Sequence, residues 1–479
     1  MTTMLKDELK AIVGADNVSD DPQVLAGYSS DISFVPSCRP IIAVYPRLAE
    51  DIRAIVKLAI KESVPITPRS SAVSFYGAGI PSEPGILMDL RRMNRILEID
   101  PKDRKVKVEP GVTWATVQDA LEKHGMMVAS PLLPHRDKSV LTSTMEREPM
   151  LIVKSEYNEN FMTGEVVTGH GEFFWMGTAL SKGMVGRANP EAFILGTKIF
   201  RGQQGTLGIV SWANIKAEFL PVMDKLYFIP SAKVEDVALP IYRTQRLMLG
   251  GELFVLNNHN LASILSQLGL GAFAELKAAL PAFTTVIVFS GQKRMPEKRI
   301  AYEEEAMMGL AEELGFKPTQ SVAGINGSDS ALLKLLRKPW PEEKYWKFFP
   351  KPHFCDIFFH APLNRAPEFH GAIARVAVKH GYPVDEIGVY LQPVERARVA
   401  YQCFTFHYDP ANLVEKEMVR ELFLDASRVV VDMGGLFTNP YGPWADMVFS
   451  RAAGYVRVLR SVKRAFDPHN ILNPGKLCF

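Results

Sequence analysis

Cysteine is scarce in this chain: four residues in 479, Cys38, Cys355, Cys403 and Cys478, stand far apart with no CxxC pair. That excludes a disulfide scaffold and offers no clustered thiolates for an iron–sulfur or zinc site, so any such cluster is expected on another chain. No run of about 18 apolar residues occurs, so no membrane span is expected. The N-terminal MTTMLKDELKAIVG carries acids and no apolar stretch of signal-peptide length. An excess of one charge is also missing: 55 basic against 53 acidic residues leave +2 without a long block. This removes the electrostatic reason to expect nucleic acid or anionic lipid as partner. The expectation is a cytoplasmic protein acting on a small molecule, with an oligomer left open.

What is present is an ordinary globular composition, 47% hydrophobic and 23% charged. At about 150 residues per domain, the length suggests two or three domains. Between residues 46 and 125 the apolar pattern switches between periods of 3.6 and 2, as helices and strands alternate. Ile52, Ile55, Val56, Ala59 and Ile60 form one helical stripe. Strands are predicted at 64–67, 86–90, 96–99 and 105–109, and Thr113 is placed to cap a helix that Gly125 ends. Beyond Pro221 two loosely similar series of strands and helices follow, with strands at 226–229, 252–256 and 284–289, then 354–360, 387–392 and 399–407. Helices are predicted near 233–247, 298–314, 364–380 and 411–433. Residues 317–350 read as a loop rich in aromatics that fold back on the core, or form a lid or a docking surface. Val448, Ala452, Tyr455, Leu459, Val462 and Phe466 predict one final helix, stopped by Pro468. The fold class is α+β, with units at 1–220, 221–440 and a C-terminal segment, 441–479.

Three separated stretches point to a cofactor. PRSSAVSFYGAG (68–79) is a loop of small residues whose backbone N–H groups can approach a phosphate closely. RGQQGTLGIV (201–210) is a glycine-punctuated approach to a strand, and NPGK (473–476) follows DPHN. Together, in this order, they resemble the FAD-binding domain of the vanillyl-alcohol oxidase and p-cresol methylhydroxylase (PCMH-type) superfamily, over roughly 36–220 and 440–479. The resemblance implies FAD as cofactor, covered by a second, ferredoxin-like domain with an antiparallel sheet. It implies that Pro68, Arg69, Ser70, Ser71, Ala72, Val73 and Ser74, with Gly77, wrap the pyrophosphate. Ser139, Val140, Thr142 and Ser143 would lie along the flavin, Gly205, Thr206, Gly208 and Ile209 would close the pocket, and Asn473 and Lys476 would complete it. The hydroxy-acid branch has glycines where this chain has Ser70, Ser71, Ala72, Thr142 and Ser143. If those positions need positive φ, each would strain the loop by about 1 kcal/mol or more. The phenol-oxidising branch is closer at YGAGIP (76–81) and SVLTSTMER (139–147).

The chemistry then needs a base for a hydroxyl or phenol proton and a cation for a carboxylate or phenolate. Alternation puts His353 and His360 on opposite faces of one strand. His407, in FTFHYDP, occupies the place of the histidine motif of the hydroxy-acid branch and leads the candidates. GGLFTNPYGPW (434–444) lacks that branch's glutamate and histidine, so no metal site of that type is expected, and Tyr441 is a candidate acid or base. Arg396 and Arg398 either pair with a substrate carboxylate or lie in solvent. The expected function is hydride transfer from a 2-hydroxy acid, or from a para-substituted phenol or benzylic alcohol, to FAD. Electrons would then pass to a partner: an iron–sulfur subunit, a cytochrome or an electron-transferring flavoprotein. The competing expectation is a subunit with a degenerate FAD site, serving as electron relay or scaffold.

Overall fold

The computed structural model describes residues 2–71, 73, 75–152, 160–180 and 196–479. Ala72 and Ser74 of the expected phosphate loop therefore lie outside the described residues. The first sheet has four strands in the order Val18–Ser19, Ile42–Val44, Ile86–Asp89, Ile66–Arg69, the last three running parallel. A parallel pair needs a crossover. Helix Ala49–Glu62 provides it, burying Ile52, Ile55, Val56 and Ala59 as its apolar stripe predicts. The strand expected at 64–67 is Ile66–Arg69, so its last residues run directly into the small-residue loop.

The second sheet is antiparallel, in the order Ile96–Asp100, Lys105–Val108, Gly208–Lys216, Phe161–Thr168, Phe173–Met176. The Thr113 hydroxyl accepts from the Thr116 amide at 3.2 Å and caps helix Trp114–Glu122, while Gly125 takes φ 64° behind it.

The third sheet has six antiparallel strands in the order Met223–Ser231, Phe283–Gly291, Glu252–Asn257, Gly388–Val394, Val399–Tyr408, His353–Ala361. Read outward from the centre, each half repeats the same pattern: its second strand lies innermost, its third in the middle and its first at the edge. The strands of the two halves pair with each other at Val255 with Leu391 and Leu256 with Tyr390. The two series expected from the sequence are therefore two copies of one strand order, joined edge to edge.

Two expectations need correction. Within 317–350 a helix forms at Ser328–Leu336, its buried face supplied by Leu332, Leu335 and Leu336. The aromatics that follow do fold back on the core, one of the expected alternatives: Trp340 and Trp346 are fully buried and Tyr345 nearly so. The final helix is not continuous. It breaks into Pro443–Phe449 and Ala453–Phe466, because Ala452 leaves helical geometry at φ −130°, ψ 49°. The chain end then returns to the first sheet, where Ile66 donates to Ile471 at 2.7 Å and accepts from Asn473 at 2.8 Å.

Candidate active site

The loop after Ile66–Arg69, the short helix Val140–Met145 and the turn entering strand Gly208–Lys216 converge on one cleft of about 1010 Å³. Of the residues expected at the cofactor, Pro68, Arg69, Ser70, Ser71, Val73, Thr142, Gly205, Gly208 and Ile209 line it. The others stand behind this wall. The Ser139 hydroxyl caps the short helix and donates to Pro110 O at 2.6 Å, Val140 is core, and Ser143 accepts from the Trp114 indole at 3.0 Å. The Thr206 hydroxyl donates to Gln203 O at 2.7 Å.

Asn473 and Lys476 do not line the cleft but tie its rim together. The Asn473 amide donates to Gln204 O at 2.6 Å and Ala78 O at 3.4 Å, and Lys476 Nζ donates to Gly77 O at 3.0 Å. The expected strain is absent where it can be read. None of Ser70, Ser71, Thr142 and Ser143 has positive φ; Thr142 and Ser143 are helical, and the Ser70 and Thr142 hydroxyls bond to each other.

The cleft suits FAD. Arg69 stands at the loop end, where a pyrophosphate needs a counter-charge, and Gln204 lines the wall with a buried Oε1 that has no partner among the described residues. Such an acceptor fits a ribityl hydroxyl or the flavin imide N–H.

A second cavity of about 900 Å³ opens from the first, the two sharing Phe75, Tyr76, Lys138, Glu146 and Tyr441. Its far wall is the sheet face carrying Phe358, Tyr390, Tyr401 and Thr405, closed by Tyr345, Trp346 and Lys347. Tyr76 and Tyr441 stack at 5.4 Å with their planes 18° apart. Behind them Asp356 accepts from Thr405 at 2.6 Å, Lys347 at 2.7 Å and Tyr76 at 3.1 Å. Burial would lower the Lys347 ammonium, but Asp356 beside it more than reverses this and holds it above its ordinary value.

On the cofactor side, Lys138 lies against Glu148 and 3.6 Å from Glu146. Burial pushes the Glu146 carboxyl above its usual range, against the pull of Lys138, with the Tyr441 phenol close beside it. A half-buried carboxylate with a raised pKa, at the junction of two cavities, is equipped as a proton acceptor.

Of the residues expected to be catalytic, Tyr441 lines both cavities. His407 shares a sheet face with Thr405, which lines the second cavity, but is fully buried beside His259, ring to ring at 5.3 Å. Burial, then His259, lowers its pKa well below the ordinary value. Neither it nor His353 and His360 lines a cavity described here. His353 sits at the strand start against Tyr408, its pKa lowered by burial and then by Lys416. His360 ends the same strand, pushed by burial and then Arg147 to about 4. Arg396 and Arg398 belong to the turn joining Gly388–Val394 to Val399–Tyr408, away from the cavities, with Arg398 exposed.

Glu146, Asp356, Lys347 and Tyr76 were not among the expected site residues. Glu146 and Tyr76 stand within or beside the segments SVLTSTMER and YGAGIP that carry the resemblance, and the three charges of Glu146–Glu148 were a readable signal. Nothing local marks the Lys347–Asp356 pair. Among the described residues no group of three or more His, Cys, Asp or Glu is placed to hold a metal ion. None of their helices is long and apolar enough to cross a membrane.

This geometry agrees with what the chain is similar to. Residues 40–143 match the FAD binding domain family and residues 359–477 the C-terminal domain of FAD linked oxidases. Glycolate oxidase subunit GlcD of Bacillus subtilis is 24% identical over 100% of this chain and 97% of its own length. A probable mitochondrial D-lactate dehydrogenase of Danio rerio is 28% identical over 98% and 90%. In fold, p-cresol methylhydroxylase with substrate bound superposes with a TM-score of 0.86 at 17% identity, over 100% of this chain and 96% of the other. The 4-ethylphenol oxidase of Gulosibacter chungangensis, in complex with isoeugenol, does so with 0.81 at 18%, over 99% and 96%. The protein is an FAD-dependent oxidoreductase. It carries the FAD binding domain and the C-terminal domain of FAD linked oxidases on the fold of p-cresol methylhydroxylase, and its cofactor is FAD.

Proposed function

We propose that the enzyme oxidises a para-substituted phenol or benzylic alcohol rather than a 2-hydroxy acid. In this reading residues 1–220 and 441–479 hold the FAD and 221–440 cover it. One observation carries the choice: the cavity meeting the cofactor cleft is walled by five tyrosines, Tyr76, Tyr345, Tyr390, Tyr401 and Tyr441, with Phe75, Phe358 and Trp346 among them. Such a wall suits an aromatic ring, which gains stacking and edge contacts there. A 2-hydroxy acid would need a cation for its carboxylate: the two lysines of the wall are committed, Lys347 to Asp356 and Lys138 to Glu148, which leaves the exposed Arg147 to serve it.

FAD, when bound, supplies the acceptor for the hydride released from the benzylic carbon. Glu146 takes the phenolic proton, and its raised pKa brings it closer to neutral pH, where a general base works best. Tyr441 positions Glu146 and, stacked on Tyr76, holds the ring. The Lys347–Asp356 pair anchors Tyr76 from behind. Electrons leave for a partner acceptor protein, an iron–sulfur subunit, a cytochrome or an electron-transferring flavoprotein.

The test is anaerobic bleaching of the bound flavin by 4-ethylphenol, 4-hydroxybenzyl alcohol, D-lactate and glycolate at equal concentration. Bleaching by the aromatic pair alone is the expected result. Bleaching by the hydroxy acids alone would overturn the proposal.

A further inference from the structure

A third, narrower pocket adjoins the tyrosine stack, lined by Ile32, Phe34, Val35, Phe354, Phe423 and Trp444. Phe75, Tyr76 and Tyr441 line all three cavities, so the stacked pair is the partition where they meet. What sets the partition is one valine. Each tyrosine is followed by a glycine at positive φ, Gly77 at 77° and Gly442 at 48°. A Cβ on Gly77 would fall 2.3 Å from Val35 Cγ2, and one on Gly442 would fall 2.8 Å from the same atom. Val35 is therefore wedged against both Tyr-Gly dipeptides, where no larger residue than glycine fits. Gly77 is gripped besides by Asp31, which accepts from its amide at 2.8 Å, and by Lys476, which donates to its carbonyl at 3.0 Å.

We propose that this third cavity is the passage by which substrate reaches the flavin. Val35 sets how far the Tyr76–Tyr441 partition opens, which makes it a specificity-determining residue. The passage takes uncharged aromatic molecules with apolar substituents. Its wall is mostly apolar, its polar groups being Ser33, Cys355, the two tyrosines and Asp356, which is already bonded to Lys347, so a carboxylate would lose its water there and meet no cation. The stack itself is an aromatic pair, and an entering ring can replace its contact with one of the same kind. The inference rests on the proposed aromatic substrate and deepens it by naming the route and the residue that sets its width.

The test uses the holoenzyme in anaerobic stopped-flow, following flavin bleaching by 4-ethylphenol and 4-butylphenol. Ile32→Trp fills the passage without touching the stack. The second-order rate constant should fall about tenfold, in the range that a misfit of a methylene or more costs in an apolar pocket, with the limiting rate and flavin spectrum kept. Val35→Ala loosens the wedge and should shift preference toward 4-butylphenol by a similar factor, a readout that stands if the tryptophan variant fails to fold. A wild type bleached by both phenols, with variants indistinguishable from it, would overturn the passage alone. A wild type bleached by neither phenol overturns the aromatic reading and the passage with it.

Discussion

Replacing Lys463 by methionine should be among the most damaging single substitutions in the molecule, although the residue touches no cavity. Its ammonium is buried and donates to Asp467 at 2.6 Å, Thr206 O at 2.7 Å and Leu472 O at 2.9 Å. One side chain thus joins the last long helix, the cofactor-cleft turn and the returning chain end. Asp467 is equally buried and also accepts from the Leu472 amide at 2.8 Å. Burial lowers the Lys463 pKa even with Asp467 beside it, so desolvation outweighs the pairing. Methionine fills the same volume but leaves the Asp467 charge buried without its cation and two carbonyls without their donor. Breaking a buried pair from one side costs about 3–5 kcal/mol. Lys463→Met with Asp467→Asn removes the stranded charge while keeping an acceptor for Leu472, and should recover about 1–2 kcal/mol of that loss. The measurement is equilibrium unfolding in urea, followed by tryptophan fluorescence and by release of flavin. The release should come earlier, because Thr206 stands between two cleft residues. A single variant that loses less than about 1 kcal/mol, or a double variant no better than the single, would refute the reasoning.

Glu146→Gln should slow anaerobic flavin reduction by about 10²–10⁴-fold, the usual contribution of a positioned base. In the wild type the reduction rate should fall as pH drops through the raised Glu146 pKa and level off above it, since only the carboxylate accepts a proton. The glutamine variant should lose that limb, and a retained limb would clear Glu146 of the role. Lys476→Met strips the donor from the Gly77 carbonyl and should weaken FAD binding by about 1–3 kcal/mol, read by fluorescence titration of the apoprotein, without changing the limiting reduction rate. Unaltered affinity would show that the latch does not support the cleft.

Much of the fold was legible because it is written in local periodicity. The stripe on Ala49–Glu62, the Thr113 cap and the paired strand series beyond Pro221 each depend on residues a few positions apart, and each formed with small shifts in its bounds. The helix Ser328–Leu336 was missed because a run dense in aromatics and prolines follows it closely. The cofactor cleft was legible for a different reason: loops that let backbone approach a ligand need small residues in order along the chain. Motif order did not separate residues that line the cleft from those that brace it, which is why Asn473 and Lys476 proved to be ties rather than walls.

The substrate side was hidden almost wholly. Tyr76 and Asp356 bond across 280 positions, and no pattern in either segment announces the other. His407 and Thr405 share a strand face two residues apart, yet Thr405 opens on the cavity while His407 lies beside His259 of helix Asn258–Gln267. Alternation along a strand tells which side a residue faces. What covers that side, solvent, ligand or another helix, depends on packing between distant segments, and there the amino-acid order alone is silent.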